Sequence, residues 1–181
     1  MIKKWETIQR QPGEDYRIFR AEWIKRKHPD WNKTGNFVVL NSPRWVNIIP
    51  ITKDNEVVLI EQYRHGIDDI TLEVPGGLVE QNEMPQVAAE RECLEETGFR
   101  GSGSAQLLAE ILPNPAFMTN KCWSFVWFDC EQADEQHLDG NEDIRVLTVP
   151  MNEIKKLIEN NKINHSLVLN AFFFYFLKYG V

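Results

Sequence analysis

Three glutamates at helical spacing set the chemical question. In Arg91-Glu92-Cys93-Leu94-Glu95-Glu96 the acids at 92, 95 and 96 stand at i, i+3 and i+4, so a helix places all three on one face. Like charges at that spacing repel by roughly 0.2–0.5 kcal/mol per pair on an isolated helix. Oxygen ligands crowded together suit a hard cation, Mg²⁺ with Mn²⁺ as a substitute, which keeps several waters and grips substrate phosphates. The plain alternative is an acidic face that is simply solvated. Two neighbouring features favour the ion. Glu73-Val74-Pro75-Gly76-Gly77 puts a glycine break before the helix, where bare backbone approaches a ligand, and Glu80, Glu83 and Glu90 add acids to the same stretch.

The charge balance agrees with a local anionic site. The 181 residues carry 27 acids and 20 bases, a net charge of −7. Between Thr71 and Phe99 stand seven of those acids and a single base, Arg91, so the remainder is nearly neutral. Nucleic-acid binding through a basic face is thereby disfavoured, and a phosphate-bearing substrate would need a bound cation. Cys93, Cys122 and Cys130 are odd in number and lack a C-x-x-C spacing, which reads as reduced thiols. The N-terminus shows no leader pattern, and the longest apolar run, Ala171 to Leu177, is far shorter than the roughly 20 residues a bilayer needs. These features predict a soluble cytoplasmic protein without membrane contact.

The elements that must position the acids follow from periodicity and breakers. Met84 to Thr97 reads as a helix, with Pro85 near its start and Gly98 at its stop. Strands are expected at 37–40, 45–51, 57–60, 70–74, 106–112, 122–128 and 144–149, with a hairpin turn at Lys53-Asp54-Asn55. Helices are expected over 152–160 and from His165 to about Lys178. His165 reads as a cap or surface residue, and the aromatic run 172–176 as packing. Gln11-Pro12-Gly13-Glu14-Asp15 predicts a turn between two short strands. The order implies a mixed α/β domain with helices on both sides of a central sheet, spanning 35–181, and an N-terminal β extension over 1–34.

Gly77, five residues, Glu83, seven residues, then Arg91-Glu92-Cys93-Leu94-Glu95-Glu96-Thr97-Gly98-Phe99 resembles the 23-residue signature of the Nudix hydrolases. Cys93 departs from it, standing where a larger aliphatic side chain is usual. The resemblance implies a Nudix-type α/β/α sandwich with a mixed central sheet, and a Mg²⁺-dependent pyrophosphohydrolase. It assigns the metal to Glu92, Glu96 and the Gly76 carbonyl, with Glu95 as ligand or support, and makes Arg91 the partner that holds the glutamates.

Outside the signature, Glu61-Gln62-Tyr63-Arg64 and Pro115 resemble the ADP-ribose and nucleoside diphosphate sugar branch of that family. Arg64 then pairs with the diphosphate and Glu61 stands beside the substrate, although an ordinary ion pair also explains Arg64. Trp45 and Phe117 are candidates for stacking on a base, with core packing as the alternative. Some members of the branch carry a general-base glutamate after the proline, but Pro115 to Lys121 holds no acid, and Asn120 cannot serve. Glu142, in the next acidic loop, is the nominated base, against a solvated loop as the plainer reading. The same resemblance implies a homodimer built through the N-terminal extension, whose Trp5, Trp23 and Trp31 are too many for so short a segment to bury. The alternative activities are a nucleoside triphosphate or dinucleotide polyphosphate pyrophosphatase, and, in another class, a catalytically silent nucleotide sensor.

Overall fold

A computed structural model of the protein describes residues 1–140 and 142–180. The chain divides into two compact units, Met1–Arg44 with Leu112–Lys121, and Trp45–Ile111 with Cys122–Val181.

The first unit is a three-stranded antiparallel sheet of β1 (Glu6–Asp15), β2 (Arg20–Lys27) and β3 (Thr34–Asn41), in that order. The turn expected at 11–15 is not there: β1 runs through Pro12 and Gly13, and the chain reverses at 16–19 instead. Proline is admissible because β1 is an edge strand, where the N–H groups that face away from β2 need no ladder partner, and the β1–β2 register slips between Pro12 and Asp15. The 112–121 segment joins β3 through Leu40, whose N–H donates to the Phe117 carbonyl at 2.7 Å.

The second unit carries the remaining strands: β4 (Trp45–Thr52), β5 (Glu56–Arg64), β6 (Asp69–Glu73), β7 (Gly76–Leu78), β8 (Phe99–Arg100), β9 (Gln106–Ile111), β10 (Cys122–Gln132) and β11 (Ile144–Pro150). They form one mixed sheet with the order β11-β5-β4-β10-β8, with β6 added to β5, β7 to β4 and β9 to β10. β4 and β10 run parallel, and the other pairs are antiparallel. Helices α1 (Pro85–Thr97), α2 (Met151–Glu159) and α3 (Ser166–Tyr179) complete it.

Strand alternation divides the core of this unit into two layers. Val46 and Ile48 of β4 face Ala88, Ala89 and Cys93 of α1, where the small side chains let the helix lie close. Ile49 and Ile51 face the other way, onto Ile154 of α2 and Val168, Ala171 and Phe172 of α3. This is the helix-on-each-side arrangement the sequence implies. Cys93 is fully buried and fills its place in the first layer, and all three cysteines are free thiols. The expected 53–55 turn closes with Asn55 in the left-handed region, a conformation asparagine tolerates.

Candidate active site

α1 begins at Pro85, whose missing N–H costs nothing at a first helical position, and ends at Gly98, whose φ of 73° suits glycine. A side chain at Gly98 would also strike the Asp134 carbonyl, 2.2 Å from an ideal Cβ. Helix register is thus fixed at both ends, and with it the placement of the acids.

Arg91 organises the exposed side of this helix. Its Nε donates to Glu83 at 3.0 Å, Nη1 to Glu92 at 3.0 Å and Glu95 at 2.8 Å, and Nη2 to Glu83 at 3.2 Å and the Leu78 carbonyl at 3.0 Å. All five guanidinium hydrogens are therefore engaged. Glu83 in turn accepts the Glu80 N–H at 2.9 Å, and this closes the loop before the helix. The Glu83 hydrogen bonds raise the Arg91 pKa above its already high ordinary value.

Glu96 lies deeper, 3% exposed, and accepts a hydrogen bond from the Gly76 N–H at 2.9 Å. Burial, followed by the charges of Glu92 and Glu142, pushes its pKa up to about 8. Glu92 is also raised, by burial first, with Arg91 pulling the other way. The glycines of the break make room for these acids. A Cβ on Gly77 would sit 2.4 Å from the Glu92 carboxylate, and one on Gly76 would sit 2.4 Å from the Val46 carbonyl. The sequence read 75–77 as a break alone. The structure makes Gly76–Leu78 a short strand on β4, which presents Gly76 directly to Glu96.

The buried Glu96 and the partly buried Glu92 are both raised in pKa, Glu92 in spite of Arg91, and a set of carboxylate oxygens of this kind fits a hard divalent cation. Among the described residues no three acid, histidine or cysteine side chains are already gathered around one point. The reason is visible: Arg91 holds Glu92 and Glu95, while Gly76 holds Glu96.

Other expected residues fall at different distances from this cluster. Glu142 is near enough for its charge to act on Glu92, Glu96 and Arg64, and its carboxylate accepts the Asp139 N–H at 3.0 Å. Arg64, at the end of β5, is locked to Glu73, Nε to Oε1 at 2.7 Å and Nη2 to Oε2 at 2.8 Å, with its side chain 43% exposed. Glu61 points to β11 and pairs with Arg145 at 3.1 Å. Trp45 opens β4 half-buried, opposite Leu78. Phe117 belongs to the first unit and is 42% exposed.

The sequence reading gave no role to Glu73 or Thr71 and took His165 as a cap or surface residue; His165 does stand at the N-cap of α3, but its side chain makes no capping bond and lies against Glu73. Glu73 is buried at the end of β6, where it also accepts the Thr71 hydroxyl at 2.5 Å, and His165 Nδ1 lies 2.9 Å from its Oε2, off the ideal hydrogen-bond direction. Despite a burial cost, the Arg64 guanidinium above all, with His165 and the Thr71 hydroxyl beside it, holds the Glu73 carboxyl well below the ordinary carboxylate range. A signal was present: Thr71 and Glu73 alternate with Ile70 and Leu72, so a polar side of β6 had to face something.

The NUDIX domain family model matches residues 42–171. The chain is 25% identical over 126 residues to an ADP-ribose pyrophosphatase of Bacillus subtilis, covering 69% of this chain and 68% of that protein. It is 30% identical over 121 residues to a GDP-mannose pyrophosphatase of an Enterobacter species, covering 62% of each. A crystal structure of an ADP compounds hydrolase superposes with a TM-score of 0.87 at 21% identity, covering 100% of this chain and 99% of that one, a likeness of fold. The model match over most of the chain, together with the mixed sheet and its flanking helices, shows that the protein belongs to the Nudix family of pyrophosphate-bond hydrolases.

Proposed function

We propose that this protein is a Mg²⁺-dependent hydrolase of nucleoside diphosphate sugars, of the ADP-ribose and GDP-mannose type, giving a nucleoside monophosphate and a sugar phosphate. The observation that carries the reading is the buried Glu96, with no cation in hydrogen-bond reach among the described residues, and the partly buried Glu92 beside it, both raised in pKa next to the Gly76–Gly77 backbone. The names of the curated relatives support the substrate class.

Glu92, Glu96 and the Gly76 carbonyl would hold the cation, with Glu95 beside them. When bound, Mg²⁺, or Mn²⁺ in its place, neutralises phosphate charge and acidifies a water. Arg91 keeps Glu92 and Glu95 on the correct side of α1 through Nη1. Arg64 offers a planar cation to the diphosphate, a geometry arginine suits better than lysine. Glu142 takes the proton of the attacking water. The water oxygen bonds to one phosphorus, the bridging P–O bond breaks, and the leaving phosphate departs with the bridging oxygen. Trp45 serves the nucleoside and Glu61 the rim of the site.

The extension 1–34 is read as the segment that builds a homodimer, and 35–181 as the catalytic domain. Exposed Trp23 and Phe37 in the first sheet, and Trp31 between β2 and β3, support an interface there. The three free thiols favour the cytoplasm. Among the described residues no helix is long and apolar enough to cross a membrane.

A turnover panel tests the reading: ADP-ribose, GDP-mannose and dGTP under identical conditions with Mg²⁺ or Mn²⁺, and products identified by mass. The expected result is cleavage between the two phosphorus atoms of the diphosphate sugars. Dominant turnover of dGTP would reject the substrate class.

A further inference from the structure

The hydrolysis described above gives Arg64 a role but none to the groups packed behind it, Glu73, Thr71 and His165. Glu73 receives Arg64 on both oxygens, Thr71 on Oε1 and His165 at Oε2. His165 stands at the N-cap of α3 but makes no capping bond with its side chain, which reaches Glu73 instead. The first turn of the same helix is tied to β4, because Asn47 Nδ2 donates to the Leu167 carbonyl at 3.0 Å. The start of α3 is therefore pinned at two points to the strands that carry the site.

A carboxylate gripped by one arginine alone can still rotate about its last bond, and the guanidinium plane rotates with it. Thr71 donates to one oxygen, and the His165 imidazole, with Nδ1 in contact with the other at 2.9 Å, stands in the path of rotation on that side. Because Nε and Nη2 of Arg64 are both committed to Glu73, the direction of the remaining Nη1 edge is set by the Glu73 plane. We infer that His165 is a positioning residue: through Glu73 it fixes the plane in which Arg64 meets the substrate diphosphate. The inference rests on the reading of Arg64 as the diphosphate ligand.

The test is steady-state kinetics on ADP-ribose with Mg²⁺ for the wild type, His165→Ala, His165→Asn, Arg64→Ala and the double variant. Loss of the imidazole is expected to raise KM about 5- to 30-fold, the factor that one or two kcal/mol represents, with little change in kcat. His165→Asn, whose amide nitrogen reaches about where Nδ1 stands, should recover most of the affinity. Once Arg64 is alanine, removing His165 should add nothing to KM, since the two act in series. A His165→Ala protein with unaltered KM, or one whose KM effect persists in full without Arg64, overturns the inference.

Affinity for an ADP-ribose analogue with a methylene bridge between its phosphorus atoms separates the two readings. A wild type that binds the analogue but never hydrolyses ADP-ribose overturns the hydrolase reading, and the affinity ratio of wild type to His165→Ala then decides on His165. A wild type that does not bind the analogue overturns both.

Discussion

Glu73 and Glu96 are both buried, 2% and 3% exposed, and they behave in opposite ways. Glu73 is saturated with donors, and its carboxyl is held far below the usual range. For Glu96, burial and the charges of Glu92 and Glu142 outweigh the Gly76 N–H and the charge of Arg64, and its pKa is pushed up to about 8. Burial is common to the two, so it does not decide the ionisation state; the count of donors and the sign of nearby charge do. Glu73 is complete as it stands, a joint in the scaffold. Glu96 is incomplete, and a cation is the partner that would complete it.

The sharpest way to break this contrast is to neutralise the incomplete acid. Glu96→Gln keeps size and shape but removes the charge, so turnover of ADP-ribose at saturating Mg²⁺ should fall by at least about 100-fold, the scale of losing one charge-stabilising group. Above about pH 8 the metal-free variant should melt no lower than the wild type, because an unfavourable buried charge has gone. A Glu96→Gln enzyme with unchanged kcat would make Glu96 structural like Glu73 and end the distinction.

The next effect is on stability against pH, and the two glutamates give slopes of opposite sign. The folded pKa of Glu96 is raised from about 4.5 to about 8, so burial favours the neutral acid. Its contribution is fully present below about 4.5 and is lost as pH rises toward about 8, a loss of a few kcal/mol in the metal-free protein. The folded pKa of Glu73 is depressed, so its contribution is present above about 4.5 and is lost as pH falls below that value. Chemical denaturation from pH 4 to pH 9 with chelator, then with Mg²⁺, checks both. Added Mg²⁺ should flatten the alkaline limb and leave the acid limb in place. An alkaline limb unaffected by the metal would mean that the cation sits elsewhere.

The difference between the two acids also marks how far the sequence could be read. α1 was legible because its limits are chemical, Pro85 and Gly98, and because the acid spacing survives in any helix. The strands 45–51, 57–60 and 144–149 were legible as β-branched runs. Glu96 was legible as part of a pattern on one element. Glu73 was not, since its partners Arg64, Thr71 and His165 come from β5, β6 and the cap of α3, and only tertiary packing brings them together. Pro12 and Gly13 misled for a related reason: local propensity marks a turn, whereas an edge position in the first sheet absorbs both residues.

The smallest effect asks whether the Glu73 joint is shared among its donors. The Thr71 hydroxyl has one hydrogen and two acceptors in reach, Glu73 Oε1 at 2.5 Å and the Gln62 carbonyl at 3.3 Å. The charged oxygen is nearer and wins the proton. Thr71→Val preserves shape and β-branching but removes that bond, while Arg64 and His165 still hold the carboxylate. The expected cost is about 1 kcal/mol, read as a lower urea midpoint at unchanged slope. KM for ADP-ribose should rise less than in His165→Ala, and the Mg²⁺ dependence should not move at all. If Thr71→Val shifted the Mg²⁺ dependence instead, the joint and the cation seat would be one coupled network, and the separate behaviour of Glu73 and Glu96 would have to be abandoned.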